Sequence, residues 1–412
     1  MRAFPVKLAC IVAAGLAARL LYALLIAKRT PLLGDAEQFQ VIARHLVHGQ
    51  GFSSINPGHD ALRPTAAKPP LYPFLLAPVQ AISPGYVSQH VLNCCFGAAT
   101  IAAIGFLVRR VAGDTAGLVA AAIAAVYPVL IVTDGSLRGE SLYGLLVAAI
   151  LIAAYAAWDV PTGRRALVLG AVIGIAALAR AEALTFLPLL AVPIALRAGR
   201  SRLTRGALVC LGCILVLVPW TVRNFAAFGR PVLVSTNEAS LVEGANCHAS
   251  YYGRGTGTWA GSCFHEQPGN QAKEAAAQRR RGYDYATDHL GRLPAVVAVR
   301  VLRTWGVYRP GLQWREERFF EGRDLRWQKA GTIAYFVLLA LAIAGAVVLR
   351  RRGVPIFILV APAVVVTVAS ALGYGVIRFR MAAEIPIVVL AGVAVVAAVR
   401  SARVRRAGSP AR

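Results

Sequence analysis

Charge is scarce in this chain. Of its 412 residues only 15% are charged, while 57% are hydrophobic; a soluble domain holds about 25% charged and about 45 to 50% apolar residues. With a mean hydropathy of +0.60, this excludes a soluble enzyme and a disordered chain. Acidic residues are scarcer still, 19 against 44 Lys and Arg, which leaves +25. In a soluble chain that excess would point to nucleic acid, so it has first to be tested against membrane topology. The chain also lacks an internal repeat, a convincing cleavage site after its first apolar run, the two-plus-two spacing of a zinc site, and any tight acidic cluster that would call for a divalent ion. No cofactor, no metal and no nucleic-acid partner is expected.

What is abundant is apolar sequence in lengths that span a bilayer. A hydrocarbon layer about 30 Å thick needs about 20 apolar residues at about 1.5 Å each. Such runs lie near 7 to 27, 88 to 108, 115 to 133, 141 to 158, 166 to 179, 183 to 197, 206 to 222, 330 to 349, 354 to 372 and 385 to 400, about ten in all. From a cytoplasmic N-terminus, every short inside loop is then Arg-rich: Arg109 and Arg110, Arg164 and Arg165, Arg197 to Arg205, Arg350 to Arg352, and a tail with Arg400, Arg403, Arg405, Arg406 and Arg412. The short outside loops at 134 to 140 and 373 to 384 pair their few arginines with acids. This is the positive-inside pattern, with both termini in the cytoplasm, and it accounts for much of the net charge.

The expected fold is an all-α polytopic membrane protein, with juxtamembrane helices in the first outer loop and a small mixed insertion outside the membrane. Residues 1 to 222 form a bundle carrying a long outer loop at 28 to 87, residues 223 to 329 a second outer region, and residues 330 to 412 the last helices and basic tail. Long loops usually carry function. In the first, Ala36 to His48 sets Phe39, Ile42, Ala43 and Leu46 at helical spacing, an amphipathic helix on the outer face. In the second, Val232-Leu233-Val234 reads as a strand, and 271 to 290 as an Ala/Arg-rich helix. Cys10, Cys94, Cys95, Cys210 and Cys213 lie in apolar spans, where a thiol is a small hydrophobe. Cys247 and Cys263 lie in the outer loop, beside His248 and His265, and an oxidising compartment favours a disulfide over a metal pair.

The candidate chemistry sits at the outer ends of the spans. Pro31-Leu32-Leu33-Gly34-Asp35-Ala36-Glu37 puts Asp35 at the head of the amphipathic helix, either as a helix cap or as a general base for an acceptor hydroxyl. Ala67-Lys68-Pro69-Pro70-Leu71-Tyr72-Pro73-Phe74 fixes Lys68 on an extended backbone near the interface, either snorkelling or aimed at a lipid phosphate. Arg138 with Glu140, Arg180 with Glu182, and Arg378 and Arg380 with Glu384 are ionisable groups at costly positions, functional sites or inter-helix locks.

Taken in order, Gly34-Asp35, Lys68-Pro69-Pro70-Leu71-Tyr72-Pro73, Pro219-Trp220-Thr221-Val222-Arg223-Asn224, Ser235-Thr236-Asn237 with Gly244-Ala245-Asn246, and Tyr374-Gly375-Val376-Ile377-Arg378-Phe379-Arg380 resemble the GT-C membrane glycosyltransferases. Within them the chain is most similar to glycosyltransferase family 39-like proteins, the group of protein O-mannosyltransferases, lipid A aminoarabinose transferases and bacterial relatives. The resemblance implies a sugar donor on a polyprenyl phosphate, an acceptor lipid, polysaccharide or protein, and a site on the outer face of a bacterial cytoplasmic membrane, among membrane lipids. It implies Asp35 as the base, Lys68 on the donor phosphate and Glu140 as a second acidic residue; one or both of Arg378 and Arg380 are expected to join Lys68 in holding the leaving phosphate, with Tyr72 and Arg138 as further substrate or phosphate-binding candidates. Many relatives read Asp-Glu where this chain reads Asp35-Ala36-Glu37, and a shift of one helical residue turns Glu37 by about 100°. Two other functions stay open on sequence: a transporter or lipid flippase, which would place charges on broken helices within the bilayer, and a non-catalytic scaffold of the same fold serving envelope assembly.

Overall fold

A computed structural model describes residues 3–27, 34–55, 62–265 and 270–407; Pro31, Leu32 and Leu33, upstream of Asp35, and Arg412 of the tail lie outside them. About 81% of the structure is helical. In chain order the elements are α1 (Ala3–Leu25), α2 (Asp35–Val47), β1 (Ser53–Ile55), β2 (Leu62–Pro64), α3 (Leu71–Ile82), α4 (Tyr86–Ala112), α5 (Asp114–Val126), α6 (Pro128–Asp134), α7 (Glu140–Asp159), α8 (Gly163–Ala179), α9 (Val192–Arg197), α10 (Arg202–Phe228), α11 (Asn237–Ala245), α12 (His248–Tyr251), α13 (Gln271–Asp288), α14 (Leu293–Thr304), α15 (Pro310–Glu321), α16 (Leu325–Arg351), α17 (Phe357–Leu372) and α18 (Met381–Ala407).

Among the described residues, six helices are long and apolar enough to cross a membrane as single rods: α1, α4, α7, α10, α16 and α18. Helices α5 and α6 together would make a seventh, bent by 60°. The expected ten are therefore not reached on length and apolarity. Helix α8 has 17 residues and α17 has 16, and the run at 183 to 197 is broken. There a 3₁₀ turn (Ala181–Thr185) passes into a π turn (Leu187–Ala191) before α9. Pro188 and Pro193 explain the break, since each lacks the N–H that a regular helix would donate to the carbonyl four residues back.

The bend between α5 and α6 has the same origin and a specific remedy. Pro128 cannot donate to the Ala124 carbonyl, and the extended backbone at Tyr127 frees the Ala125 carbonyl as well. Arg19 of α1, fully buried, donates to both carbonyls at 3.0 and 3.1 Å and pairs with Asp134 at 2.7 Å. Charges on a broken helix inside the bundle were not expected from the sequence. This pair is closed upon backbone acceptors, which gives it the character of a lock.

Helix α18 is the centre of the bundle, with 78% of its apolar window buried, against 28% for each of α1, α10 and α16. Close crossings depend on missing side chains: a Cβ at Gly170 of α8 would lie 1.9 Å from the Val209 carbonyl of α10, and one at Gly212 would lie 2.2 Å from that of Leu167. Backbones meet there as small residues allow in membrane bundles.

An outer layer rests on one end of the bundle. Helix α2 buries Ala36, Gln40, Ile42 and Ala43, close to the face read from its spacing. Ile42, Phe52, Ala66, Trp220, Phe228, Val232 and Ala272 form a cluster tying the first outer loop, the second and the end of α10 together. The expected strand at Val232 to Val234 does not form. Its carbonyls are taken by side chains of α10: Trp220 Nε1 donates to Val234 at 2.6 Å and Asn224 Nδ2 to Val232 at 2.9 Å. The described strands are instead the antiparallel hairpin β1–β2, with Ser53 opposite Pro64, in the first outer loop. The second outer region is helical where described, not mixed, and α13 covers the expected Ala/Arg-rich segment.

Candidate active site

Asp35 is the first residue of α2, following Gly34 at φ 60°. A cap would direct its carboxylate at the free N–H groups of the first turn. Both oxygens are instead occupied by cations from three other segments. Lys68 Nζ lies 2.5 Å from Oδ1; Arg138 Nη1 and Arg378 Nη1 lie 3.0 and 3.2 Å from Oδ2. The cations are nearly closed off, with side chains 7, 9 and 12% exposed, whereas that of Asp35 is 33% exposed. The carboxylate is thus the member of the group that an incoming molecule can reach. Glu37 is exposed.

Each cation is placed by its local sequence. Pro69 and Pro70 hold Lys68 extended ahead of α3, for which Pro70 is the cap residue, and a bond from the Thr236 N–H to the Ala66 carbonyl at 2.8 Å brings Asn237 to 3.5 Å from Lys68 Nζ. Arg138 sits in the short loop after α6. Asn93 donates to the Ser136 and Arg138 carbonyls at 2.6 and 3.0 Å, and Gln89 donates to that of Leu137 at 2.9 Å. Tyr72, expected among the phosphate-binding groups, belongs to this scaffold: its buried hydroxyl donates to Asn93 at 3.0 Å and accepts from Gln89 at 3.1 Å.

Arg378 and Arg380 part company. They share the 3₁₀ turn Ile377–Arg380, where side chains two positions apart differ by about 240° around the axis. Arg378 faces Asp35. Arg380 is 2% exposed, pairs with Glu384 at 2.5 Å and lies 3.4 Å over the ring of Tyr335, while Tyr127 donates to the other Glu384 oxygen at 2.8 Å. The structure does not bring Arg380 to Asp35. Arg180 and Glu140 form the next layer: Arg180 contacts Glu140 at 3.0 Å and Glu182 at 2.5 Å, and Glu140 lies 3.7 Å from Arg378.

Three members, Glu317, Glu321 and Arg323, do not stand out in the sequence. Glu321, at the end of α15, lies 3.4 Å from Arg378, 3.8 Å from Arg138 and 3.0 Å from Arg323, and Arg323 reaches Glu317 at 3.5 Å. The available signal was scarcity: in a chain with 19 acids, Glu316, Glu317 and Glu321 fall within one short segment.

Burial alone would raise the Asp35 carboxyl, but Lys68, Arg378 and Arg138 together outweigh it and hold the group well below the usual carboxylate range. Glu321 is held low in the same way, by Arg138, Arg323 and Arg378 acting against burial. For Glu317 burial wins, with the charge of Glu321 adding to it, and the group is pushed up to about 7.

A cavity of about 570 Å³ is walled by Ala181, Leu184, Val232, Val234, Thr236 and Arg279. Two of its wall residues, Ala181 and Thr236, stand next in the chain to Glu182 and Asn237. Farther out, Cys247 and Cys263 are joined in a disulfide. The loop they close accepts a bond from the Gly375 N–H at the Gly257 carbonyl, 2.8 Å, which ties it to the segment that presents Arg378. The remaining cysteines are free thiols. His248 stacks on Tyr252, and His265 lies 3.2 Å from Glu243.

Comparison with known proteins bears out the resemblance read from the motifs. Residues 67–222 match the family model of dolichyl-phosphate-mannose-protein mannosyltransferases. No curated protein sequence matches the chain. Among solved structures, the Archaeoglobus fulgidus oligosaccharyltransferase AglB in its apo form superposes with a TM-score of 0.59 at 13% identity over 98% of this chain and 51% of its own. AglB in complex with an inhibitory peptide and a dolichol-phosphate gives 0.57 at 14%, over 98% and 52%. ArnT from Cupriavidus metallidurans bound to undecaprenyl phosphate gives 0.45 at 14%, over 94% and 77%. The chain spans about half the length of the AglB structures it matches, and the likeness shows that this chain and AglB share a fold.

Proposed function

We propose that this chain is a GT-C-type glycosyltransferase, which moves a sugar from a polyprenyl-phosphate donor to an acceptor hydroxyl on the outer face of a bacterial cytoplasmic membrane. One observation carries the reading: a single reachable carboxylate, Asp35, gripped by Lys68, Arg138 and Arg378 from three separate outer ends of the bundle. On this reading α8, the broken segment up to α9, and α17 cross the bilayer too. The chain then makes ten passes, both termini lie in the cytoplasm, and every member of the cluster lies on the outer side.

The chemistry follows from charge. In the resting state Asp35 is a poor proton acceptor, because three cations stabilise its ionised form. A lipid phosphate competes for those cations. Lysine meets it as a point charge and arginine as a fork. As they turn to the phosphate, Asp35 loses the partners that depress its basicity and becomes able to take the proton of an acceptor hydroxyl as that oxygen displaces the phosphate at the anomeric carbon. The leaving phosphate gains charge in the transition state, and the same cations stabilise it there.

The test is direct. Purified chain is incubated with a panel of radiolabelled polyprenyl-phosphate sugars and membrane extract, beside the Asp35→Asn variant. Transfer from one donor by the wild type alone is expected. Equal transfer by the variant, or none from any donor by the wild type, overturns the reading.

A further inference from the structure

Helix α15 is built inside out. Its buried line, at successive fourth positions, is Gln313, Glu317 and Glu321, with Gln313 and Glu317 only 1 and 4% exposed and the Glu321 side chain 7%, while Phe319 on another face is 72% exposed. Burying two carboxylates is a poor means of stabilising a helix against its neighbours. Nor are they needed to anchor it. Trp314 Nε1 donates to Thr332 of α16 at 3.1 Å, Gln328 of α16 donates to the Trp314 carbonyl at 3.2 Å, and Glu316 pairs with Arg303 of α14 at 2.7 Å. Both ends of α15 are set by left-handed residues, Arg309 at φ 45° and Gly322 at φ 64°. Arg309 is the one described non-glycine residue with a positive φ, a conformation that persists where the surroundings impose it.

The acidic line ends on the two arginines that grip Asp35. Arg138 Nη1 lies 3.0 Å from Asp35 Oδ2 and 3.8 Å from Glu321 Oε1, while Arg378 meets Asp35 Oδ2 through Nη1 at 3.2 Å and Glu321 Oε1 through Nε at 3.4 Å. The longer pair of contacts exceeds ordinary hydrogen-bond length, so Glu321 orients the guanidinium groups by charge and leaves their N–H donors available. Resting on the glycosyltransferase reading above, we infer that Glu321 is a positioning residue of the active site: it holds Arg138 and Arg378 side by side, against their mutual repulsion, in the arrangement that receives a lipid phosphate. Arg323, between Glu321 and Glu317 at 3.0 and 3.5 Å, fixes Glu321 in turn.

The experiment uses the full chain in detergent and compares wild type, Glu321→Gln, Glu321→Asp and Arg315→Ala, the last on the exposed face of α15. Transfer kinetics are measured with the best donor, together with binding of a polyprenyl monophosphate by titration calorimetry and melting temperature. A displacement of catalytic groups by about 1 Å reduces rate by about a hundredfold, and a loss of that order in kcat is expected for Glu321→Gln, with melting temperature kept. Glu321→Asp should recover part of it, and Arg315→Ala should match wild type. Wild-type kcat and phosphate affinity in Glu321→Gln would overturn the inference while leaving the reading beneath it intact. If Glu321→Gln does not fold, Glu321→Asp decides: a fall in kcat at unchanged KM supports positioning, and wild-type kinetics overturns it. A wild-type chain that neither transfers sugar nor binds the lipid phosphate overturns both.

Discussion

Two kinds of buried charge lie close together in this molecule, and Arg378 and Arg380 illustrate them. Arg380 faces one carboxylate and one ring, and Glu384 is completed by Tyr127; Arg19 is likewise matched to Asp134 and to backbone carbonyls. These are closed systems, in which cation and anion are matched and solvent is excluded. Arg378, two residues from Arg380, enters a group in which Asp35 is contacted by three cations and remains partly exposed. Closure marks a lock, whereas a partly exposed carboxylate contacted by three cations marks, on the proposed reading, a site that another anion can enter.

The comparison breaks most sharply at the two aspartates. Asp35→Asn should lower transfer by about 10² to 10⁴, the range of general-base contributions, in a protein that still purifies as a folded species, because no cap is lost. A folded variant with near-wild-type turnover would remove Asp35 from the mechanism. Arg19→Met should do the reverse. Leaving Asp134 buried without its partner removes about 3 to 5 kcal/mol of stability, read as a large drop in melting temperature, with turnover per folded molecule retained. A variant with wild-type melting would show that the bent span does not depend on this lock.

A smaller effect separates the two arginines. Lys68→Ala and Arg378→Ala should each weaken binding of a polyprenyl monophosphate, and their effects should combine with a coupling of about 0.5 to 3 kcal/mol, since groups sharing one partner are not additive. Arg380→Ala should lower melting temperature and leave the affinity of the folded fraction unchanged. Strict additivity of the first two, or loss of affinity in the third, would erase the distinction. The smallest effect concerns Glu317. Its folded-state value near 7 stands above the unfolded value of 4.5, so the folded chain binds this proton more tightly. Stability should therefore fall as pH rises from about 4.5 to about 7 and level off above, by a few degrees in melting temperature. Glu317→Gln should flatten that dependence, and an unchanged slope in the variant would assign it to another group.

Much of this was legible in the sequence, for physical reasons that differ by region. Helical apolar runs reported the bundle, because lipid imposes length. Asp35, Lys68 and Arg138 were legible as ionisable residues at span ends. The choice of Arg378 over Arg380 was not, because it depends on a 3₁₀ turn that no periodicity announces. Glu321 was hidden because its helix carries its polar face inward, the opposite of the pattern by which buried residues are recognised. The strand read at Val232 to Val234 failed because composition cannot report that Trp220 and Asn224 have already claimed its carbonyls.

The spacing of the cluster along the chain has a consequence for how the molecule comes into being. Asp35 and Arg378 are separated by 343 positions, with Lys68, Arg138 and Glu321 between them. Contacts so distant in sequence carry the largest loop-closure entropy and form late. An emerging chain that has reached Glu321 already has Asp35, Lys68 and Arg138 in hand, yet lacks the arginine that completes the grip. On the proposed reading, catalytic competence therefore belongs to no fragment: a truncation before the turn Ile377–Arg380 leaves most of the bundle and an unfinished site.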